Sequence, residues 1–337
     1  MKFDVCIGNP PYQDPKVGST QQLWFNFIKE SRTICNTMCM IHPGRWVIPT
    51  AVYEKYRKAI IDELNCTSFK YIPKSGDVFN NVAIDGGITI TYFDNSTNET
   101  EYYVNDEYKG IYNITNKIFS DSFEEEIYTK VFEKISGNMQ SYITTDFCAL
   151  GHHSYAHIKN ENIELIKDTK DNIINSIRLW ISRSTGRSDA KYKWYYIEKE
   201  NLVDVPDYIF KTRKVMLDSK GHAIAHGKGN VINNLPQICD KHDLGYGVIF
   251  VIPKTESERE LQLIKSLFMT KTARYLMCIT QKSLYVRGFE NIPDYLELAK
   301  LLPEDELFTD EWFYKTFDFS EGLINEIETR VSPKVEK

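Results

Sequence analysis

The sequence lacks any apolar stretch approaching the ~18 consecutive residues that a spanning helix needs. Its first residues, MKFDVCIGNPPY, hold no long apolar run of the kind a secretory signal requires. There is no internal repeat and no low-complexity tract, so solenoids, arrays and disordered tails are set aside. Cysteine is scarce and odd in number, seven in all, with no zinc spacing; Cys35 and Cys39 stand four apart and no second pair accompanies them. Such cysteines read as reduced, mostly buried thiols in a cytosol. The segment Gly151-His152-His153, with His157, lacks a fourth ligand and reads as a solvated loop, so no metal is assigned. No acidic-lysine nuclease pattern falls on a believable strand pair. The formal net charge of −6 and pI of about 5.8 argue, taken whole, against a simple nucleic-acid binder.

What is present is an ordinary globular composition, 42% hydrophobic and 26% charged over 337 residues, enough for two domains or one large one. The charge is unevenly spread. Residues 1–150 carry 14 Lys+Arg and 19 Asp+Glu, residues 151–300 carry 23 and 18, and residues 301–337 carry 4 and 10. A middle with a net of +5 therefore lies between two acidic ends. In it Arg178, Arg183, Arg187, Lys191 and Lys193 are opposed only by Asp189, and Lys265, Lys271, Arg274, Lys282 and Arg287 follow with no acid between them. Aromatics interleave with both runs: Trp180, Tyr192, Trp194, Tyr195 and Tyr196, then Phe268, Tyr275 and Tyr285. Bases with planar side chains suit a phosphate backbone and unstacked bases, and equally a solvated surface over core aromatics. Gln281, within the second run, has the amide that reads an adenine edge.

The first 93 residues alternate strand and helix. Phe3 to Ile7 is a short β-rich run ending at Gly8-Asn9-Pro10-Pro11-Tyr12. Gln21 to Met38 reads as a helix with Leu23, Phe27 and Ile34 on one face. Pro43-Gly44 is a turn, Arg45 to Ile48 a short strand, Ala51 to Leu64 a helix, Phe69 to Ile72 a strand, and Ile88 to Phe93 a strand. The polar run 94–109 suits an edge hairpin or loop, and helical patterning returns at 120–136. This is one half of an α/β sheet. Beyond about residue 140 the strands are short: Lys193 to Ile197, Val215 to Leu217 and Val248 to Ile252. A helix from Ser257 to about Cys278 and helical acidic segments at 294–307 and 320–330 follow. The pattern changes between 110 and 140, giving an α/β domain over 1–120 and an α+β domain over 121–337.

Asn9-Pro10-Pro11-Tyr12 sits at the carboxyl end of a strand, where open α/β sheets bind ligands. The amide of Asn9 offers an acceptor oxygen. Proline cannot donate, so its exit is rigid and the Pro10 carbonyl is free to accept. Two fixed acceptors can hold an exocyclic amino group and raise its lone pair toward a methyl donor, while Tyr12 stacks on the ring. The bland alternative is a Pro-Pro turn with an Asn cap.

FDVCIGNPPYQ resembles motif IV of the amino-group DNA methyltransferases, in the adenine-N6 branch of restriction–modification systems. LWFNFIKESRTI resembles their motif V helix, HPGRWVIPT their motif VI turn and strand, and GDVFNNVAIDGGITITYF their motif VIII region. LFMTKTARYLMCITQKSLYVRGFENIPD resembles a stretch of their target-recognition domains, and YKTFDFSEGLINEIETRV their terminal helix. The resemblance implies that Asn9 and Pro10 accept from the adenine amine, that Pro11 completes the motif, and that Tyr12 stacks on a base flipped from the duplex. It implies that Phe79 is a second aromatic against that base and that Phe27 lines the pocket of the cofactor, S-adenosyl-L-methionine; plain core packing is the alternative for both. The second domain becomes the recognition domain for double-stranded DNA, with Arg183, Arg187, Lys191, Lys271, Arg274, Gln281, Lys282 and Arg287 as contacts.

In this family the glycine-rich cofactor turn and its acidic partner precede the motif, and here only eight residues do. Some relatives permute the order, but neither Gly227-Lys228-Gly229 nor Gly245-Tyr246-Gly247 follows a convincing strand. The family's sheet order is 3-2-1-4-5-7-6, so the chain is expected to form a partial Rossmann-like sheet of strands 4 to 7. A protein partner would then carry strands 1 to 3 and most of the cofactor site, making a split enzyme that is inactive alone. The alternatives are a non-catalytic DNA-recognition or interaction protein derived from a methylase, and a piece of a larger gene product. The resemblance places the protein in the cytoplasm of a bacterium or archaeon, or in a phage-encoded set, with no membrane partner.

Overall fold

The computed structural model describes residues 2–14, 18–47, 51–80, 84, 86–144, 157–182, 192–218, 235–245, 248–279 and 288–332. The fold is mixed α/β, and the chain divides into two compact units: Met1–Glu126 with Ile279–Leu284, and Ile127–Cys278 with Tyr285–Lys337.

The first unit is built on a six-stranded sheet. Its strands are β1 (Phe3–Gly8), β2 (Cys35–Pro43), β3 (Cys66–Ile72), β4 (Ile88–Phe93), β5 (Glu101–Val104) and β6 (Glu107–Ile111). Their order across the sheet is β1-β2-β4-β3-β5-β6. Strands β1 and β2 are parallel, and β4 lies antiparallel to both β2 and β3. Helix α1 (Leu23–Ile34) joins β1 to β2, and α2 (Ala51–Lys58), prolonged by one wide turn over Ala59–Glu63, joins β2 to β3. Both crossovers step in the same direction. Right-handed crossovers that do so place their helices on the same face of the sheet.

That face is the core. Met38, Met40 and His42 of β2, Thr89, Thr91 and Phe93 of β4, and Phe69 and Tyr71 of β3 are all buried there, with Trp24 and Ile28 of α1. His42, Thr89 and Thr91 are hydrogen-bonded. His42 stacks on Trp24 at 4.5 Å and bonds Thr91 Oγ1 through Nε2 at 3.0 Å, while Trp46 donates to Thr89 Oγ1 at 2.9 Å. Burial holds the His42 imidazole down at about 3, so it is neutral. Side chains alternate across a strand, so the other face carries Val5, Ile7, Thr37, Cys39, Ile41, Ile90, Tyr92, Ser68 and Lys70, and none of these is buried. Ile7 is 78% and Val5 56% exposed, and β1 is the edge strand among the described residues.

Several elements differ from the sequence reading. The helix expected over Gln21 to Met38 stops at Ile34, and the next nine residues form β2. In β2 the buried residues recur with period two, a signal that methionine and cysteine carry weakly. The helix face is also different: Trp24 and Ile28 point inward, and Phe27 and Ile34 are exposed. Gly44–Val47 is a 3-10 turn in place of a strand. The 94–109 run forms the edge hairpin β5–β6.

The second unit begins within helix α3 (Ser122–Phe132), which crosses the division. Its strands are β7 (Ile143–Thr144), β8 (Ser176–Ser182), β9 (Tyr192–Glu198), β10 (Lys214–Asp218), β11 (Gln237–Cys239), β12 (Asp243–Gly245) and β13 (Val248–Val251). They form a three-stranded sheet, β9-β8-β12, and a four-stranded one, β11-β10-β13-β7. Five helices follow: α4 (Glu258–Met269), α5 (Lys271–Cys278), α6 (Tyr295–Ala299), α7 (Asp310–Thr316) and α8 (Glu321–Arg330). The single helix expected from Ser257 to Cys278 is broken at Thr270, whose ψ of 145° is extended. Asp310 restarts it by accepting from the backbone N–H groups of Lys271 and Thr272 at 2.9 and 2.8 Å.

Candidate functional site

Strands β1, β2 and β3 all run in one direction, so the segments after them leave the sheet at the same rim. Asn9–Tyr12 follows β1, Gly44–Val47 follows β2, and Pro73–Phe79 follows β3. With about 4.8 Å between neighbouring strands, β1 and β3 stand roughly 14 Å apart across this rim. Asn9 and Pro11 are exposed, Pro10 is buried and Tyr12 is half-buried. Gly8, just before, lies tight against β2: a Cβ there would meet Met40 Sδ at 3.0 Å. The Tyr12 ring packs against the core of the unit, and its hydroxyl is buried with no hydrogen-bond partner among the described residues. Burial pushes its phenol up from the ordinary value.

Phe79 closes a tight loop, its N–H donating to the Ser75 carbonyl at 2.9 Å, and its side chain is half-buried. The return to β4 is pinned by backbone. Gly44 N–H donates to the Gly87 carbonyl at 2.9 Å, and Gly87 has φ +69 with the Ile72 carbonyl oxygen 2.5 Å from where its Cβ would be. Only glycine fits there. Phe27 stands on α1 with 48% of its surface exposed, so simple core packing does not account for it.

The basic residues divide. Arg183, Arg187, Lys191, Gln281, Lys282 and Arg287 lie outside the described residues. Lys271 and Arg274 do not face solvent as expected of DNA contacts. Lys271 is mostly buried and paired with Glu328 of α8. Arg274 is fully buried, donating to the carbonyls of Thr270 at 3.0 Å, Met269 at 3.2 Å and Ser332 at 2.6 Å, which ties the end of α4 to the chain after α8. Burial pulls its guanidinium down to about 10. Both are structural cations, and the distant partner of each, Glu328 for Lys271 and the Ser332 carbonyl for Arg274, lies where sequence spacing could not connect it.

Gly245 has a packing role as well. A Cβ there would meet Val248 Cγ2 at 2.8 Å, Met216 Sδ at 3.1 Å and Trp180 Cβ at 3.3 Å. A residue that the sequence singled out less clearly is Arg178. It is clamped by Asp243 through Nε–Oδ1 at 2.9 Å and Nη2–Oδ2 at 2.5 Å, and its guanidinium lies 4.2 Å over the Trp194 ring.

Residues 1–79 match the model of the Eco57I restriction-modification methylase family. No curated protein matches the chain. Among solved structures, the chain is similar to a type I restriction-modification methyltransferase subunit from Streptococcus thermophilus, at 18% identity and TM-score 0.24, over 30% of this chain and 26% of that one. It is similar to a modification subunit of a type I restriction enzyme from Vibrio vulnificus, at 14% identity and TM-score 0.24, over 42% and 35%. It is also similar to the type IIL restriction-modification enzyme MmeI in complex with DNA, at 9% identity and TM-score 0.38, over 98% and 55%. The chain thus spans about half, or less, of the solved chains it matches.

Proposed function

We propose that the chain is the adenine-holding and DNA-recognising part of an N6-adenine DNA methyltransferase of a restriction–modification system. The carrying observation is the sheet order β1-β2-β4-β3 with β4 antiparallel, which is what strands 4, 5, 7 and 6 of such a sheet require, with Asn9–Tyr12 at the end of the first. The family match over 1–79 supports it. On this reading residues 1–120 are catalytic and 121–337 recognise the target.

The chemistry assigned to these residues is the holding of one amine. The Asn9 carboxamide oxygen and the Pro10 carbonyl each accept one proton of the adenine amino group, turning its nitrogen lone pair outward for attack on a methyl donor. Pro11 stiffens the turn that fixes both acceptors. Tyr12 offers its ring to the extruded base, and Phe79 approaches from the other side of the rim. The methyl donor implied is S-adenosyl-L-methionine. Among the described residues only the exposed Phe27 ring is assigned to it, and one aromatic wall does not make a cofactor site, so no step is derived through it. The remainder of that site belongs to a polypeptide segment that extends the sheet beyond β1 and covers its open face.

The experiment is capture of a partner from the native source, followed by transfer of labelled methyl groups to adenine in duplex DNA. The complex transfers methyl and Asn9→Ala lowers the rate roughly 100- to 1,000-fold, as loss of a positioned polar contact does. Methyl transfer by this chain unaided overturns the split, and equal rates with Asn9→Ala overturn the site. A complex that recognises DNA but transfers nothing would favour the second reading, a recognition protein derived from a methylase.

A further inference from the structure

The three-stranded sheet of the second unit has two unlike faces. Ile177, Leu179 and Ile181 of β8, Tyr195 and Ile197 of β9, and Leu244 of β12 are buried on one. On the other, the registers Arg178–Tyr196, Trp180–Trp194 and Arg178–Asp243 bring a guanidinium and three aromatic rings together, all half-buried apart from the buried carboxylate. Trp180 and Trp194 meet edge to face at 5.3 Å.

Arg178 is held unusually well for a side chain 38% exposed. The buried Asp243 takes its Nε and one Nη2 proton, and is itself fixed by the Asp240 N–H at 2.9 Å. The Arg178 Cζ lies 4.2 Å over the Trp194 ring. Of five guanidinium protons two are used, and three N–H groups, two on Nη1 and one on Nη2, have no acceptor among the described residues. Their direction is fixed because the plane is fixed. The pair with Asp243 is close to neutral, so it adds little long-range attraction for phosphate. What it supplies is an oriented pair of donors, the complement of the O6 and N7 acceptors on the major-groove edge of guanine. An antiparallel pair of strands is narrow enough to enter that groove, and the β8–β9 pair is one.

We infer that Arg178 reads a guanine in duplex DNA, steered by Asp243 and flanked by Trp180 and Trp194. The inference rests on the reading of the chain as DNA-recognising. Arg178 opens the first basic run, and the second run is not involved, since neither Lys271 nor Arg274 takes part.

The test is selection from a randomised duplex pool by the full chain, with sequencing of what is retained. The wild type enriches a motif with guanine at one position, preferred roughly 5- to 150-fold over other bases. Arg178→Lys keeps the charge and loses the fork, so overall affinity stays within about threefold while that preference falls to near twofold. Asp243→Asn leaves the guanidinium charged but unclamped, and lowers the same preference at the same position. A melt of each variant checks folding; where one fails to fold, the other carries the test, and Trp194→Phe, which loosens the support alone, adds a third. An unchanged guanine preference in the folded variants overturns the inference. So does a uniform loss of affinity with a shallower salt dependence, which marks a phosphate contact. A wild-type chain that enriches no sequence overturns both this and the DNA-recognising reading, whereas methyl transfer through Asn9 is read independently.

Discussion

The six-stranded sheet of the first unit and the three-stranded sheet of the second each have one buried and one open face, and the open faces are opposites. The first carries an aliphatic group, Val5 and Ile7 on its edge strand and Ile41 and Ile90 further in, beside Tyr92, Ser68 and Lys70. The second is aromatic and charged, with Arg178, Trp180, Trp194 and Tyr196. Exposed aliphatic side chains gain only by leaving water, so a protein surface suits them. A clamped arginine over indole rings offers direction as well as area, which suits a ligand with placed acceptors. The same architecture thus presents two kinds of surface, and the residues on the open strand positions decide which.

The contrast can be broken most strongly from inside. Phe69→Ala on the covered face of the large sheet costs about 3–5 kcal/mol, while Ile7→Ala on its open face changes stability by less than about 0.5 kcal/mol. Denaturant melts measure both, and similar losses would show the face to be packed after all. Next in size, Asp243→Ala destabilises the second unit by roughly 1–3 kcal/mol, since it strands a half-buried guanidinium and the Asp240 N–H. Calorimetry that shows no shift removes the clamp from the account.

The two units also differ in where pH acts. His42 in the first is held neutral, with its imidazole pulled to about 3, so the unfolded state binds more protons between there and 6.5. Its contribution is complete above about pH 6.5 and is lost as pH falls, and His42→Gln flattens that slope. Lys214 in the second is fully buried, donating to the carbonyls of Ile209, Asp240 and Lys241 at 2.9, 3.2 and 3.1 Å, and burial pulls its ammonium down to about 8. Here the unfolded state holds its proton longer, so stability rises as pH passes from about 8 toward 10.5. Melting temperature against pH, with each unit followed by its own variant, separates the windows; a single shared window would merge the units. A gain in stability is expected at the proposed site. Tyr12→Phe removes a buried hydroxyl that lacks a partner among the described residues and stabilises by about 1 kcal/mol, keeping the ring, with thermal melting as the measurement.

Much of the first unit was legible. FDVCI and ITITYF announced strands because β-branched and aromatic residues cluster there. The stretch CNTMCMIHP did not, because methionine and cysteine favour neither period, and its alternation emerges only when α1 covers one side of it. The chain's exit from β1 at Asn9–Tyr12 was visible because a proline pair after a strand is a local signal. The basic contacts were not, because charge in sequence says nothing of where its partner lies: Glu328 is 57 residues from Lys271, and Asp243 is 65 from Arg178. What could have been read is SIRLWIS, in which Ile, Leu and Ile alternate with Arg and Trp, a half-buried strand with a chemical outer face.

The edge position of β1 has a practical side. A parallel edge strand with exposed Phe3, Val5 and Ile7 is a template for any extended peptide that meets it in the test tube. Preparations of this chain should therefore thin out into aggregates as concentration and salt rise, and a lysine at position 5 or 7 should keep them clear. The solubility of a sample becomes a gauge of whether that strand is covered, readable by light scattering before any partner has been identified.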